Sequence, residues 1–515
     1  MRNYLLLVKT GILQALSGSP NKRKNGKKSK GKISGLIMIA VVVLGIGVGY
    51  SIIFGNAFNA SGTPELLLSM MSMLAIMMLF VFGLYDGISN LFGYKDYYVL
   101  SAMPIKRSTM ILAKLTTTYI IDFALTVAIL LPASIVYSVF VPQNAWFFIS
   151  SVLTCFFLPA LALSLTITLS VLIKLFVSRF KNSAQIETAI TYIGYILIFG
   201  LSFYFGYFTE ESVVPTIPAI FTVYQKVLTY PLYLGLFILI AVALCSLVCF
   251  IIAFNYVKLY SIITSVKKSK GYKIREEKTR SPFMAIVKKE FKRIFSNANF
   301  ALNSFIGALL YLFAVVGISI IFKVAGISMF LKDYALVFAL PLTAFMLLMA
   351  SPTSAIISVE GKSFSILKTL PVSTEKILTA KLYAGTIVPA IFGAIGSLVI
   401  GILFNIGIIQ TILLIIATVA MAIGGGAFGL VLNIRFCNLD WTNINQAVKQ
   451  GVSVLLLMIS AIVFALILGG LAYVGYAFEI FLLSFIFQVV IVFAVTFGAL
   501  LILYTVSVKR FSTLG

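Results

Sequence analysis

Lys95-Asp96-Tyr97-Tyr98-Val99-Leu100-Ser101-Ala102-Met103-Pro104-Ile105, closing at Ala113-Lys114-Leu115, returns 267 residues later. There it reads Lys362-Ser363-Phe364-Ser365-Ile366-Leu367-Lys368-Thr369-Leu370-Pro371-Val372, closing at Ala380-Lys381-Leu382. Lysine, aromatic, leucine, proline, β-branched residue and Ala-Lys-Leu keep one spacing. A second echo follows: Arg179-Phe180-Lys181-Asn182 and Arg435-Phe436-Cys437-Asn438. Matches between apolar helices arise easily by chance; matches between polar loops at corresponding places do not. The chain is therefore read as two related halves.

Between these loops the sequence is apolar. It is 61% hydrophobic and 10% charged, with a mean hydropathy of +1.09. A soluble domain of this length needs roughly 25% charged residues, so lipid must cover much of this one. A bilayer core of about 30 Å takes about 20 apolar helical residues. On that measure the spans fall near 33–54, 66–92, 116–140, 146–177, 188–208, 231–255, 301–322, 334–358, 384–405, 410–433, 449–475 and 478–508. The expected fold is an all-α integral membrane protein of about twelve transmembrane helices. Six spans return the chain to its starting side, so the two six-helix repeats are parallel.

The loops give an orientation. The chain has 39 Lys+Arg against 15 Asp+Glu, a net charge of +24. Residues 1–32 carry nine basic residues and no acid; residues 257–300 carry twelve basic and three acidic ones. With the loops near 93–115, 174–187, 359–383 and 433–450 and the tail Lys509-Arg510, 36 of the 39 basic residues share one side. Only Lys226, Lys323 and Lys332 fall on the other. The positive-inside rule places both termini and the central loop in the cytoplasm. The charge is a topology signal, and no nucleic-acid role is expected.

Each half opens on an amphipathic segment. Ser281-Pro282 suits a helix N-cap and first position. Met284, Val287, Phe291, Ile294 and Phe295 then share one face, with Lys288, Lys289, Lys292 and Arg293 opposite, as in a helix lying on the membrane surface. Tyr4–Leu16 is a weaker version. The expected division is 1–256 for the first half, 257–280 for a basic linker and 281–515 for the second half.

Some chemistry is absent. There is no histidine, and Cys155, Cys245, Cys249 and Cys437 form no CxxC pair, so no metal site or disulfide framework is expected. Gly361-Lys362-Ser363 resembles the end of a phosphate loop, but the required upstream glycine is Ile356. No cofactor, and no catalytic residue, is expected in this chain. Asp122, about two turns into the third span, is the candidate intramembrane pathway residue; its counterpart in the second half is Pro389. Gly424-Gly425-Gly426 reads as a helix-packing or flexing site.

These loops and spans resemble the permease subunits of ABC exporters of the type-2 class, in a fused two-half bacterial form. The resemblance covers the whole chain in architecture and some 60 residues in motif. It implies an elbow helix before each half and a cytosolic coupling helix between spans two and three. It further implies that the two loops contact cytoplasmic ABC ATPase subunits, two copies, which bind ATP and Mg. The implied contact residues are Lys95, Tyr97, Pro104, Ile105, Lys106, Arg107 and Lys114 in the first loop. In the second they are Glu360, Lys362, Phe364, Pro371, Val372, Glu375, Lys376 and Lys381. A bacterial plasma membrane and export of a peptide or other amphipathic compound follow from the same resemblance. The first loop has no acid on the Tyr94 side of Lys95, where the second has Glu360, unlike the usual pattern.

Two other readings share the architecture. A secondary transporter with two six-helix repeats fits the span count, but its usual paired intramembrane charges are missing. A non-transporting immunity or sensor subunit fits as well. The topology itself is open to a direct check in a cysteine-free background. A single cysteine at Thr216 is expected to react with an impermeant maleimide in intact cells, and one at Ser269 to stay unlabelled until the membrane is opened. Labelling of Ser269 in intact cells would overturn the orientation.

Overall fold

A computed structural model describes residues 2–16, 44–45, 47–52, 54–56, 58–59, 62–91, 107–180, 183–207, 219–264, 281–324, 331–349, 351–441, 444–448 and 451–513. The regular elements among them are all helical. The chain divides into two compact units, 1–269 and 270–515.

The first unit contains α1 (Arg2–Leu16), α2 (Leu66–Leu91), α3 (Arg107–Phe140), α4 (Ala145–Val177), α5 (Ser183–Tyr207), α6 (Ala219–Thr229) and α7 (Pro231–Thr264). Its core is built from Leu67, Leu68, Met71, Leu79, Leu130 and Leu228, with α6 packed into it by Tyr224 and Leu228. That short helix takes the place where two prolines, Pro215 and Pro218, end the preceding apolar run.

The second unit contains α8 (Pro282–Phe295), α9 (Ala298–Val324), α10 (Lys332–Leu348), the one-turn α11 (Phe364–Lys368), α12 (Thr374–Leu403), α13 (Ile408–Arg435), α14 (Val452–Ala477), α15 (Phe481–Ile502) and α16 (Val508–Thr513). Tyr311, Leu340, Ala344, Leu414, Leu468 and Phe485 form its centre. Outward-facing Ile408, Phe254, Leu232 and Phe497 are among the most exposed side chains of the molecule, as a lipid-solvated surface requires.

Among the described residues, eight helices are long and apolar enough to cross a membrane, or nine if α8 and α9, bent by 90° at their junction, are counted together. That right angle is the elbow expected of a surface helix feeding a span. Ser281 caps α8 by accepting a hydrogen bond from the Met284 N–H at 3.4 Å, with Pro282 at the first position.

The structure corrects three expectations. The eighth span does not run to 358: α10 ends at Leu348, and 3₁₀ turns at Pro352–Ser354 and Ser358–Ser363 follow. Ile356 and Ile357, fully buried, are covered by protein rather than lipid, a difference that hydropathy cannot register. The third and ninth spans begin earlier than expected, so Lys114 and Lys381 lie two turns inside α3 and α12 and not in loops. On α8 the protein-facing residues are Ile286, Val287, Glu290 and Ile294, while Met284 is exposed. The helix has two apolar environments, lipid and protein, and the sequence pattern merges them.

Gly424, Gly425 and Gly426 are packing sites. A Cβ on them would stand 2.4 Å from Thr496, 2.1 Å from Leu348 and 2.1 Å from Thr386 respectively. Three consecutive glycines let α13 meet neighbours in three directions at once.

Candidate functional site

The segment between α10 and α12 is where the second unit concentrates its buried polar chemistry. Lys381, on the second turn of α12, is completely buried. A lone buried ammonium is prohibitively costly, and two carboxylates meet this one. Its Nζ lies 2.9 Å from Oε1 of Glu290, on the elbow helix α8, and 2.6 Å from Oε1 of Glu360, in the loop. Both carboxylates are as fully enclosed as the lysine.

Two cations of α8 close the cluster from the outside. Lys289 Nζ donates to Glu360 at 3.1 and 3.4 Å. Arg293 pairs with Glu360 and stands 3.5 Å from Glu290 Oε2, an ionic contact rather than a directed hydrogen bond. The side chains of Lys289 and Arg293 are 39% and 21% exposed, so the cluster grades from a dry centre to a wet rim. Three cations and two anions leave one net positive charge. Burial pushes the Glu360 carboxyl up; Lys381 and Arg293 outweigh it and hold the group far below the usual carboxylate range. Burial pushes the Arg293 guanidinium down, and Glu360 and Glu290 raise it above its ordinary value.

The same loop is tied from the other side. Asn433 of α13, wholly buried, accepts from the N–H groups of Ile357 and Ser358 at 2.8 and 3.1 Å. Its amide donates to Ser358 Oγ at 2.8 Å and Ser453 Oγ at 3.0 Å, so all four of its hydrogen-bonding positions are used. Ser453 of α14 donates on to the Ser354 carbonyl at 2.7 Å. The Trp441 indole N–H donates to the Ser358 carbonyl at 2.7 Å, and its ring covers Gly361. Gly361 has φ +55°, the left-handed region that favours glycine. A side chain there would also meet the indole at 3.2 Å.

This frame presents α11. Phe364 and Leu367 turn inward, and the Phe364 ring meets Phe511 of α16 edge-on at 5.3 Å. Ile366 points out, 65% exposed, with Leu370 beside it at 39%. Lys362, Lys368, Glu375 and Lys376 surround them, all exposed. Pro371 does not start a helix: α11 precedes it, and α12 begins three residues later behind Ser373. Pro371 is exposed in the intervening turn, and Val372 is half-buried.

Of the residues singled out in the sequence, the structure thus joins Glu360 and Lys381 directly. It places Phe364 as an anchor beneath the surface formed by Lys362, Pro371, Glu375 and Lys376. Lys95, Tyr97, Pro104, Ile105 and Lys106 lie outside the described residues. Arg107 opens α3, and Lys114 follows on it. Asp122 is buried on α3. Glu290, Arg293, Asn433 and Trp441 were not foreseen. A signal did exist for Glu290: with Val287 and Ile294 it falls at i, i+3 and i+7, which sets an acid on the protein-facing stripe. The first unit has an ion pair of its own, also unforeseen. Lys174 of α4, its side chain 19% exposed, binds Glu187 of α5 at 2.7 Å.

Comparison with known families places the chain. A family described as a membrane protein of twelve transmembrane helices matches residues 30–509. The chain belongs to that family. Its multi-pass, all-α character is thereby shared with a family and not only inferred from hydropathy. No curated protein and no solved structure matches the chain.

The cluster makes stability pH-dependent with a definite sign. The folded Glu360 carboxyl is held below its unfolded value of about 4.3, so its contribution is present above that pH and is lost as pH falls through the folded value. Thermal unfolding of the detergent-purified chain should show the midpoint dropping between pH 5 and pH 3. Glu360→Gln should unfold earlier at pH 7 and lose less on acidification. Equal acid slopes for the two proteins would show that this carboxylate is not engaged.

Proposed function

We propose that the chain is the membrane-spanning permease subunit of an ATP-driven exporter of the ABC type-2 class. In this reading the basic side is cytoplasmic, both termini lie there, and the membrane is a bacterial plasma membrane. The carrying observation is the mounted surface at 362–376. A short helix and the turn after it present an outward apolar pair, Ile366 and Leu370, flanked by lysines and fixed from behind by α8, α12, α13 and α14. Rigid mounting of a small exposed surface is what force transfer from a partner demands, and stabilising the bilayer-spanning core alone would not require it. The matching loop of the first half supplies the second contact, for two cytoplasmic ABC ATPase subunits. ATP and Mg bind to those partners; this chain is not itself an enzyme.

The apolar character of the helix surfaces supports a peptide or other amphipathic compound as cargo. In the second unit one open groove of about 670 Å³ is lined by Tyr334, Phe338, Phe345, Phe404 and Leu466. Another of about 510 Å³ is lined by Met421, Phe428, Leu456 and Phe464. Adaptable aromatic and methionine side chains suit varied apolar ligands, whereas a hydrophilic solute needs convergent polar groups.

The test searches the genes beside this one for a Walker-motif ATPase and combines its product with the purified chain. The chain alone should hydrolyse no ATP; the pair should show vanadate-sensitive turnover raised by cationic hydrophobic peptides. Ile366→Glu should reduce that stimulation by about tenfold or more, since a central apolar contact carries much of an interface. Ile366 is a better probe than Val372, which is half-buried. Hydrolysis by the isolated chain, or full stimulation with Ile366→Glu, would refute the reading.

A further inference from the structure

The last two helices of the chain touch both an apolar groove and the mounted surface. In the span region, Val492 and Thr496 of α15 form one wall of the groove of about 510 Å³. Ser460 and Phe464 of α14 and Phe428 of α13 face them. Thr496 is tied to its neighbour, donating to the Ala420 carbonyl of α13 at 3.0 Å. Phe511 of α16 follows Thr496 by 15 residues. It is buried, and its ring meets Phe364 edge-on at 5.3 Å, beneath α11. At 1.5 Å per residue, about 22 Å of helix joins the groove to the underside of the surface.

Between these two ends the helix changes its winding. Leu503–Ser507 form a single π turn. The Leu503 N–H is shared between the carbonyls of Ala499 and Leu500. Helices bend at such turns, because the ladder of backbone bonds is redistributed there. The turn is also a point of contact. Leu503 and Ser507 face inward and are buried. The Tyr504 hydroxyl lies 2.9 Å from that of Thr379, on the second turn of α12 and two residues before Lys381. Thr379 gives its one hydroxyl proton to the Glu375 carbonyl at 2.7 Å, so Tyr504 is the donor.

The end of the chain therefore holds the mounted surface in two places, on α12 through Tyr504 and under α11 through Phe511. Crossing the bilayer requires neither contact. The apolar span of α15 is complete at Ile502, and Lys509 and Arg510, beside Phe511, are exposed. A close-packed rod of this kind transmits a displacement rather than absorbing it. Helix shifts of about 1–2 Å are the usual size of such movements.

We infer that α15 and α16 couple the apolar groove to the surface at 362–376. An apolar ligand entering between α13, α14 and α15 displaces α15. Tyr504 and Phe511 pass that displacement to α12 and α11, and the π turn is where the rod bends. Coupling of this kind is reciprocal: whatever binds at Ile366 and Leu370 changes the affinity of the groove for its ligand by the same factor. Tyr504 and Phe511 are positioning residues, since they act through the helices they hold. The functional meaning rests on 362–376 being a docking surface, yet the coupling is a property of this chain and is measurable without any partner.

The experiment is electron–electron spin-label distance measurement on the full chain, in vesicles of phosphatidylethanolamine and phosphatidylglycerol, with the native cysteines replaced. The labels replace Met284 and Ile366, both exposed, and report the distance between α8 and α11. Ser460→Trp fills the groove from within and stands in for an apolar ligand. It should shift the mean distance by about 2 Å. Leu466→Trp fills the other groove, whose lining includes no described residue of α15, and should leave the distance unchanged. Tyr504→Phe and Phe511→Leu, added to Ser460→Trp, should return the distance to the parent value. Leucine keeps an apolar filler beneath α11, so the surface itself stays folded. If Ser460→Trp does not fold, Ser460→Phe carries the same expectation. No shift on filling the first groove, an equal shift on filling the second, or a shift that survives loss of both contacts would overturn the inference. If the distances follow this pattern while Ile366→Glu leaves ATPase stimulation whole, the docking reading fails and the coupling stands.

Discussion

A lysine ammonium with no exposed surface constrains everything around it. Lys381 cannot be buried alone; idealised transfer of such an ion into a medium of low dielectric costs on the order of 20 kcal/mol, and several kcal/mol remain after relaxation. Two carboxylates must therefore come to it, and they arrive from different parts of the chain, the elbow helix and the loop. Those carboxylates in turn draw Lys289 and Arg293 to the rim. The chain thereby fixes the angle at which α8 lies against α12 and the height at which the loop stands. Asn433 and Trp441 complete the arrangement by taking up the backbone groups that the turn at Gly361 leaves unpaired. The exposed face of α11 is the consequence: its shape is held by contacts beneath it, not by anything on the surface.

This polar frame contrasts with the rest of the unit. Helices of the span region meet through small residues and apolar interdigitation, as at Gly425 against Leu348. In lipid the hydrophobic effect does not drive helices together, so close packing and occasional hydroxyl bonds carry that task. Thr343 to Tyr311 and Ser397 to Thr418 are such bonds, at 3.2 and 3.0 Å. The buried charge cluster lies at the basic end, where part of it meets water. A membrane protein can use strong electrostatics where one face of the assembly is wet, and this one does so at the loop.

The all-α, twelve-span membrane character was legible because it rests on apolar length. Glu360 and Lys381 were legible as members of a motif but not as partners, since 21 residues and a turn separate them. Glu290 was hidden among Lys288, Lys289, Lys292 and Arg293, in a helix whose composition alone suggests a uniformly basic surface. The end of α10 was misread because buried Ile356 and Ile357 have the hydropathy of lipid-facing residues. In each case the missing information is which surface a side chain meets, and that is tertiary.

The central claim is that Lys381 and Glu360 act on each other, and do not merely lie close. A double-mutant cycle measures this directly. Unfolding free energies of the parent chain, Lys381→Met, Glu360→Gln and the double variant would be compared in bicelles. The account predicts strong non-additivity, at least about 1 kcal/mol, with the double variant more stable than the sum of the single losses implies. Additivity within about 0.5 kcal/mol would contradict it.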